Sequence, residues 1–186
     1  AAITATTLQM AGIPRPYGMQ SRGFLGEDAD PPRTYAFSAR DRIDETILRI
    51  RSARGLRYHY LRNYIPAQGF PTLNRYKEKC FAVKPLMRKL HAQGQLRGAA
   101  AELMEPLPYE QLYDTESDPH EIYNLLESDN HEDIEALQRL RAALDTWIAE
   151  SGDQGIWLEP EEIIVPFEKE MHDWFGTPDW YLEKPN

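Results

Sequence analysis

The chain has a single cysteine, Cys80, among its 186 residues. A disulfide within the chain is therefore excluded, and so is a zinc site built on cysteine pairs. No run of eighteen apolar residues occurs, so no membrane-spanning helix is expected. Ala1 to Met10 lack a basic stretch and a long apolar core, so they do not read as a signal peptide, and localisation is not legible from this end. The five histidines, His59, His91, His120, His131 and His172, form no H-x-x-x-H or H-x-H pair of the kind that binds a metal. Neither G-x-S-x-G, nor a Walker-type Gly-x-x-x-x-Gly-Lys, nor G-x-G-x-x-G is present. Cys80 follows Lys79 in an ordinary basic-apolar stretch without the surroundings of a catalytic thiol.

What remains is a globular composition with a lopsided charge. Apolar residues make up 41% and charged residues 27%, enough for one domain with a core and too little chain for two large ones. The net charge of −9 is unevenly spread. From Arg33 to Arg97 there are fifteen Lys and Arg against four Asp and Glu, a net +11. From Glu102 to Asn186 there are four bases against twenty-three acids, a net −19, and the first thirty-two residues contribute −1. Two readings follow. Either the halves neutralise each other or solvate two faces, or the basic half faces an anionic ligand.

Along the chain, residues 3–11 read as a short helix with Ile3, Thr7, Met10 and Ala11 on one face and Gly12 as its stop. The chain opens directly in that helix without a cap, which reads as a cut inside a larger fold. Residues 14–33, with Pro14, Pro16, Pro31 and Pro32, read as a loop or linker. Three extended candidates follow: Thr34–Ala39, Leu48–Arg54 and Leu56–Arg62, the last two forming a hairpin around Arg54-Gly55. Residues 63–75 read as loop, Lys84–Leu96 as helix, Gln111–Tyr113 as a short strand, and Asp118-Pro119 as a turn suited to a helix start. The clearest element is a helix from His131 to Glu150. It has an apolar stripe of Ile134, Leu137, Leu140, Leu144, Trp147 and Ile148, a capping box from Asp129 to Glu132, and Gly152 as its stop. Trp147 is expected between this helix and the sheet. Beyond Gly155 the acidic chain, with Trp157, Trp174, Trp180 and Tyr181, reads as an irregular docking tail.

Two clusters carry possible chemistry. The acids Asp114, Glu116, Asp118 and Glu121 are spaced somewhat like a calcium loop but lack its glycine and terminal glutamate, so a turn accounts for them better. The stronger cluster is Ala39-Arg-Asp-Arg-Ile-Asp-Glu45, at the end of the first strand. Arginine forks suit sulfate, phosphate and carboxylate oxygens. Alternation along a strand puts Arg40 and Arg42 on one face. It leaves Asp41 to pair on the other with a hairpin base such as Arg54 or Arg57. Arg40 and Arg42 are the candidate anion contacts. Asp44 and Glu45, in the loop beyond, are candidate acceptors for substrate hydroxyls. The competing reading is an arginine–aspartate pair that pins the loop.

Gln111-Leu-Tyr-Asp-Thr-Glu-Ser-Asp-Pro-His-Glu-Ile-Tyr-Asn-Leu125 resembles the E-L-Y-D-x-x-x-D-P-x-E-x-x-N-L signature near the carboxyl end of sulfatases, with Gln111 in place of the usual Glu. Thr7–Pro14 and Met19–Leu25 resemble the family's P-T-L-L-D-L-A-G-I-P and M-Q-G-R-S-L. Tyr35–Glu45, Ile50–Arg54 and Arg57–Asn63 resemble the strands that follow. The resemblance spans roughly residues 3–150 and, within the family, leans toward bacterial sulfatases related to heparan N-sulfatase.

The resemblance implies an α+β fold: a small antiparallel sheet packed against a long helix, closing one side of the substrate pocket of an alkaline-phosphatase-type α/β domain. It implies residues 1–32 as the end of that larger domain, 33–152 as the sheet-and-helix part, and 153–186 as the tail. The family's nucleophile is a formylglycine made from the Cys or Ser of C/S-x-P-x-R, assisted by calcium. No such motif occurs here, and Cys80 precedes Phe-Ala-Val-Lys84. Both groups are therefore expected upstream, none in this chain, and the chain by itself is expected to be inactive. The implied partners are the upstream domain and a sulfated glycan or similar anion. Neither nucleic acid nor membrane is expected, a homo-oligomer is left open, and a periplasmic or secreted setting follows from the family. Two other functions compete: a non-catalytic polyanion-binding module, and a phosphatase or phosphodiesterase of the same superfamily.

Overall fold

The computed structural model describes residues 2–66 and 68–182. They form two units, Ala1–Thr34 and Tyr35–Asn186. In the first, helix α1 (Ala2–Met10) buries Ala5 and Thr6 and leaves Ile3 and Met10 in water, the reverse of the face expected from its apolar residues. A helix this short takes its buried face from what the chain folds over it rather than from its own pattern. Here the Thr6 hydroxyl bonds Ala2 O and accepts from Phe24 N at 3.1 Å. Arg15 closes the loop by gripping both oxygens of Asp30 at 2.7 and 2.9 Å.

The second unit is built on a four-stranded antiparallel sheet in the order β1-β2-β3-β4, with β1 Ala36–Ile43, β2 Thr46–Arg54, β3 Tyr58–Asn63 and β4 Glu110–Asp114. The architecture is the expected α+β one, a small antiparallel sheet under a long helix. The first strand does not stop at Ala39, however. It runs through the arginine cluster and turns back at Asp44-Glu45, between the paired residues Ile43 and Thr46. Asp44 takes φ of +55°, a left-handed value that aspartate tolerates better than most side chains. Asp44 and Glu45 are thus a hairpin turn and not a loop beyond the sheet. Helices α2 (Arg75–Cys80), α3 (Val83–Ala92) and α4 (Ala99–Glu102) lie between β3 and β4. Residues 64–66 and 68–74 are loop as expected, and α2 follows almost wholly on residues with no expected element, started by Asn74, whose side chain accepts from Lys77 N at 2.8 Å.

Helix α5 (His131–Ser151) covers one face of the sheet. Its cap is Asn130, accepting from Glu132 N, and not Asp129; Gly152 ends it at φ +64°. Register lines up Phe37, Ala53, Tyr60 and Leu112 across all four strands, and Leu137, Leu140 and Leu144 pack over that row. Burying such side chains contributes about 1.5–3 kcal/mol each. Ile134 stays exposed, so the stripe begins one turn later than its pattern suggests. Trp147 is half-buried and stacks on Phe37, ring centroids 5.4 Å apart and 11° from parallel.

No helix begins at Asp118-Pro119. The Asp118 carboxylate instead accepts from Ile122 N at 2.6 Å and Tyr123 N at 2.8 Å and ties the turn to itself. Asn124 Oδ1 then takes Leu112 N, and Leu125 N bonds Leu112 O, so the loop occupies the free edge of β4. The tail is not irregular either. It forms α6 (Glu161–Phe175) and α7 (Asp179–Leu182), with α6 against α2 through Tyr76 and Phe175. Residues 183–186 of the expected tail lie outside the described residues. No described helix is long and apolar enough to cross a membrane.

Candidate functional site

The basic sheet and the acidic helix meet charge for charge. Register aligns Arg51, Arg62 and Glu110 in a row on the face that α5 covers. Arg51 Nε pairs with Asp153 at 2.9 Å, Arg62 with Asp145 at 2.6 Å, and Arg141 with Glu110 at 2.8 and 2.5 Å. Burial followed by hydrogen bonding to Glu110 raises the Tyr60 phenol well above its ordinary value. At the other end of the helix, Arg57 pairs with Asp114 at 2.9 Å and Glu132 at 3.1 Å. The hydrogen bond from Arg57 pulls Asp114 from 3.8 down to about 2. Burial, then Asp133, pushes the Tyr58 phenol up to about 12. Arg54 joins Glu121, which also takes His59 Nδ1 at 2.8 Å. Of the two readings of the charge asymmetry, mutual neutralisation accounts for these arginines.

The candidate residues divide. Arg42 donates from Nε to Glu159 at 2.6 Å and from Nη1 to Asp44 O at 2.8 Å, and its guanidinium lies 4.1 Å from the Phe167 ring centroid. That hydrogen bond raises Arg42 and holds Glu159 below the usual carboxylate range. Glu45 is buried, and its Oε1 accepts from Arg75 N at 2.6 Å at the start of α2. Asp44 Oδ2 accepts from Asn74 Nδ2 at 3.3 Å. These three residues bind the hairpin turn to α2 and to the segment before α6. Asp41 pairs with Arg51 at 2.8 Å, and not with Arg54 or Arg57. Arg51 lies three residues before Arg54 on β2, so it shares the α5 face with Ala53 and Asp41 while Arg54 points to the other face.

Arg40 differs from the rest. Among the described residues it is the one arginine of β1–β3 whose side chain has no carboxylate or carbonyl partner, and its Nε is buried with no acceptor. Its backbone oxygen accepts from Arg51 Nη1 at 3.0 Å, which holds its strand in place.

The partners missed in the sequence, Glu159, Asp153 and Phe167, all lie beyond α5. Their only signal was the surplus of acid and aromatic residues there. No cluster of three or more His, Cys, Asp or Glu that could hold a metal occurs among the described residues. Asp114 and Asp118 are engaged by Arg57 and by backbone amides, so the implied calcium has no donor set in them.

No family model matches the chain. Over 151 residues it is 36% identical to the carboxyl-terminal part of the ulvan-active sulfatase of Formosa agariphila, an alignment covering 81% of this chain and 25% of that protein. The chain thus spans about a quarter of the length of the curated relative it matches. Among solved structures, a 2-O GAG sulfatase is 22% identical at a TM-score of 0.48, covering 80% of this chain and 24% of that one. A protein solved in complex with its substrate, D-glucosamine-2-N,6-O-disulfate, is 14% identical at a TM-score of 0.49, covering 82% and 24%.

Proposed function

We propose that this chain, whose sequence is that of the carboxyl-terminal part of a sulfatase, closes the substrate site of a sulfuric ester hydrolase acting on a sulfated glycan, and that Arg40 is its contact to the anion. The observation that carries this is the contrast among the arginines of the sheet. Burying part of a guanidinium without an acceptor is costly, and the cost is offset when an anion supplies the missing oxygens. Arg42, Asp44 and Glu45 act by positioning: they fix the hairpin whose ascending strand carries Arg40. The signature from Gln111 to Leu125 is architectural in this reading, because its Asp and Asn side chains satisfy the sheet edge and its own turn while Glu121 pairs with Arg54 and His59.

The nucleophile and metal of such an enzyme are supplied by the rest of the protein, and no step of bond cleavage is assigned to residues of this chain. A general polyanion-binding face is less well supported, because most basic side chains of the sheet are already paired. The test is Arg40→Ala in the full-length enzyme with a sulfated oligosaccharide as substrate. A fall in kcat/KM of at least about tenfold, equivalent to about 1.4 kcal/mol, with an unchanged melting temperature is expected. An unchanged kcat/KM removes Arg40 from the site.

A further inference from the structure

A concavity opens beside β1 where Asp41 meets Arg51. It has a volume of about 380 Å³ and is lined by Asp41, Arg49, Arg51, Asp153, Trp157 and Glu159, among others. Its floor is rigid. Arg51, 1% exposed, is held between Asp41 and Asp153, and Arg49 Nη1 is tied to Ile156 O at 2.7 Å. Gly155 is required there, since a Cβ would lie 1.9 Å from Arg51 Nη2. Its rim is different in kind. The Trp157 indole is 69% exposed, and the Asp41 and Glu159 side chains are 51% and 36% exposed.

The chemistry of the lining selects among occupants. Both arginines are already engaged and three carboxylates line the space, so a sulfate or another anion is disfavoured. An apolar segment would strip water from the exposed oxygens of Asp41 and Glu159 and give them nothing beyond the single arginine that each already holds. A neutral sugar ring meets both conditions, because its hydroxyls donate to the carboxylates while its C–H face covers the indole.

We infer that this pocket is a subsite for an uncharged ring of the glycan, next to the sulfated one; the inference rests on the reading of the chain as part of a glycan sulfatase. β1 is the edge strand of the sheet, and Arg40 and Asp41 are consecutive on it. A glycan crossing that edge meets the arginine and then the Asp41–Trp157 pocket.

The experiment uses the full-length enzyme with sulfated oligosaccharides of three or more rings, in which the ring next to the sulfated one is uncharged, and with a sulfated monosaccharide. Trp157→Ala should raise KM about tenfold for the longer substrates, leave the monosaccharide unaffected, and leave the melting temperature unchanged. Trp157→Phe, which keeps an aromatic face, should recover most of that loss. Arg40→Ala should instead impair both substrates. If Trp157→Ala alters neither substrate, or both equally, the subsite is overturned. The same holds if it lowers the melting temperature and spares KM, which would assign the indole to packing. Should the wild-type enzyme turn over no sulfated saccharide, the sulfatase reading fails and the subsite falls with it.

Discussion

Arg42 and Glu159, 117 residues apart, form a two-pronged ion pair at 2.6 and 3.2 Å. Arg40, two residues earlier on β1 and across an irregularity in its register with β2, has no such partner. The pair makes the two arginines experimentally separable. Arg42→Ala should lower stability by roughly 1–3 kcal/mol, because it strands a partly buried carboxylate and uncovers Phe167. Arg40→Ala should leave the melting curve in place and act on kcat/KM. Thermal melts and kinetics on the same two variants check both halves. A reversed pattern would show that Arg42 is the anion contact and Arg40 a packing residue.

Gly155→Ala tests how tightly the segment after α5 is set against the sheet. The added methyl would meet the Arg51 guanidinium 1.9 Å away and force it from Asp153 or from Asp41. Disrupting a buried pair of this kind costs roughly 3–5 kcal/mol, so a large drop in urea midpoint is expected. A drop under about 1 kcal/mol would mean that the segment yields readily.

Trp147→Ala removes the ring that stacks on Phe37. The side chain is only half-buried, so the expected loss is about 2–3 kcal/mol, below the 3–5 kcal/mol typical of a fully buried aromatic. Phe37→Ala should weaken the protein in the same way, and the double variant should lose less than the sum of the two. Strict additivity in that cycle would show that the rings do not interact.

Asp114 gives a pH signature. Its folded value of about 2 lies below the usual 3.8, so its pairing with Arg57 stabilises the fold above about pH 4 and is lost as pH falls toward 2. Asp114→Asn should therefore be less stable than wild type at pH 7, with the gap narrowing between pH 4 and pH 2. Urea titrations of both proteins across that range read the difference directly. A gap independent of pH would assign the effect to hydrogen bonds that asparagine also loses.

The chain alone is expected to show no turnover of an aryl sulfate, with or without added calcium, because it has no C/S-x-P-x-R motif. Turnover that survived purification and vanished on substitution of Cys80 would refute that expectation.

The α+β class, the long helix and its glycine stop, and the family likeness are all legible in the order of residues along the chain. Those are local signals: apolar spacing in α5, alternation in β2 and β3, and the contiguous run from Gln111 to Leu125. Alternation along a strand predicts that Arg40 and Arg42 share a face, but the register of β1 against β2 shifts between them, a feature that no local pattern announces. Tertiary structure alone decided what each of them meets. Glu159 reaches Arg42 because the chain after α5 returns to the hairpin, and nothing near either residue in sequence encodes that return. The same return gave Asp41 its partner Arg51 and built the pocket under Trp157. Local patterns also misjudged α1 and the tail. A short helix and a segment with scattered aromatics take their buried faces from distant surfaces, and those surfaces exist only once the chain has folded.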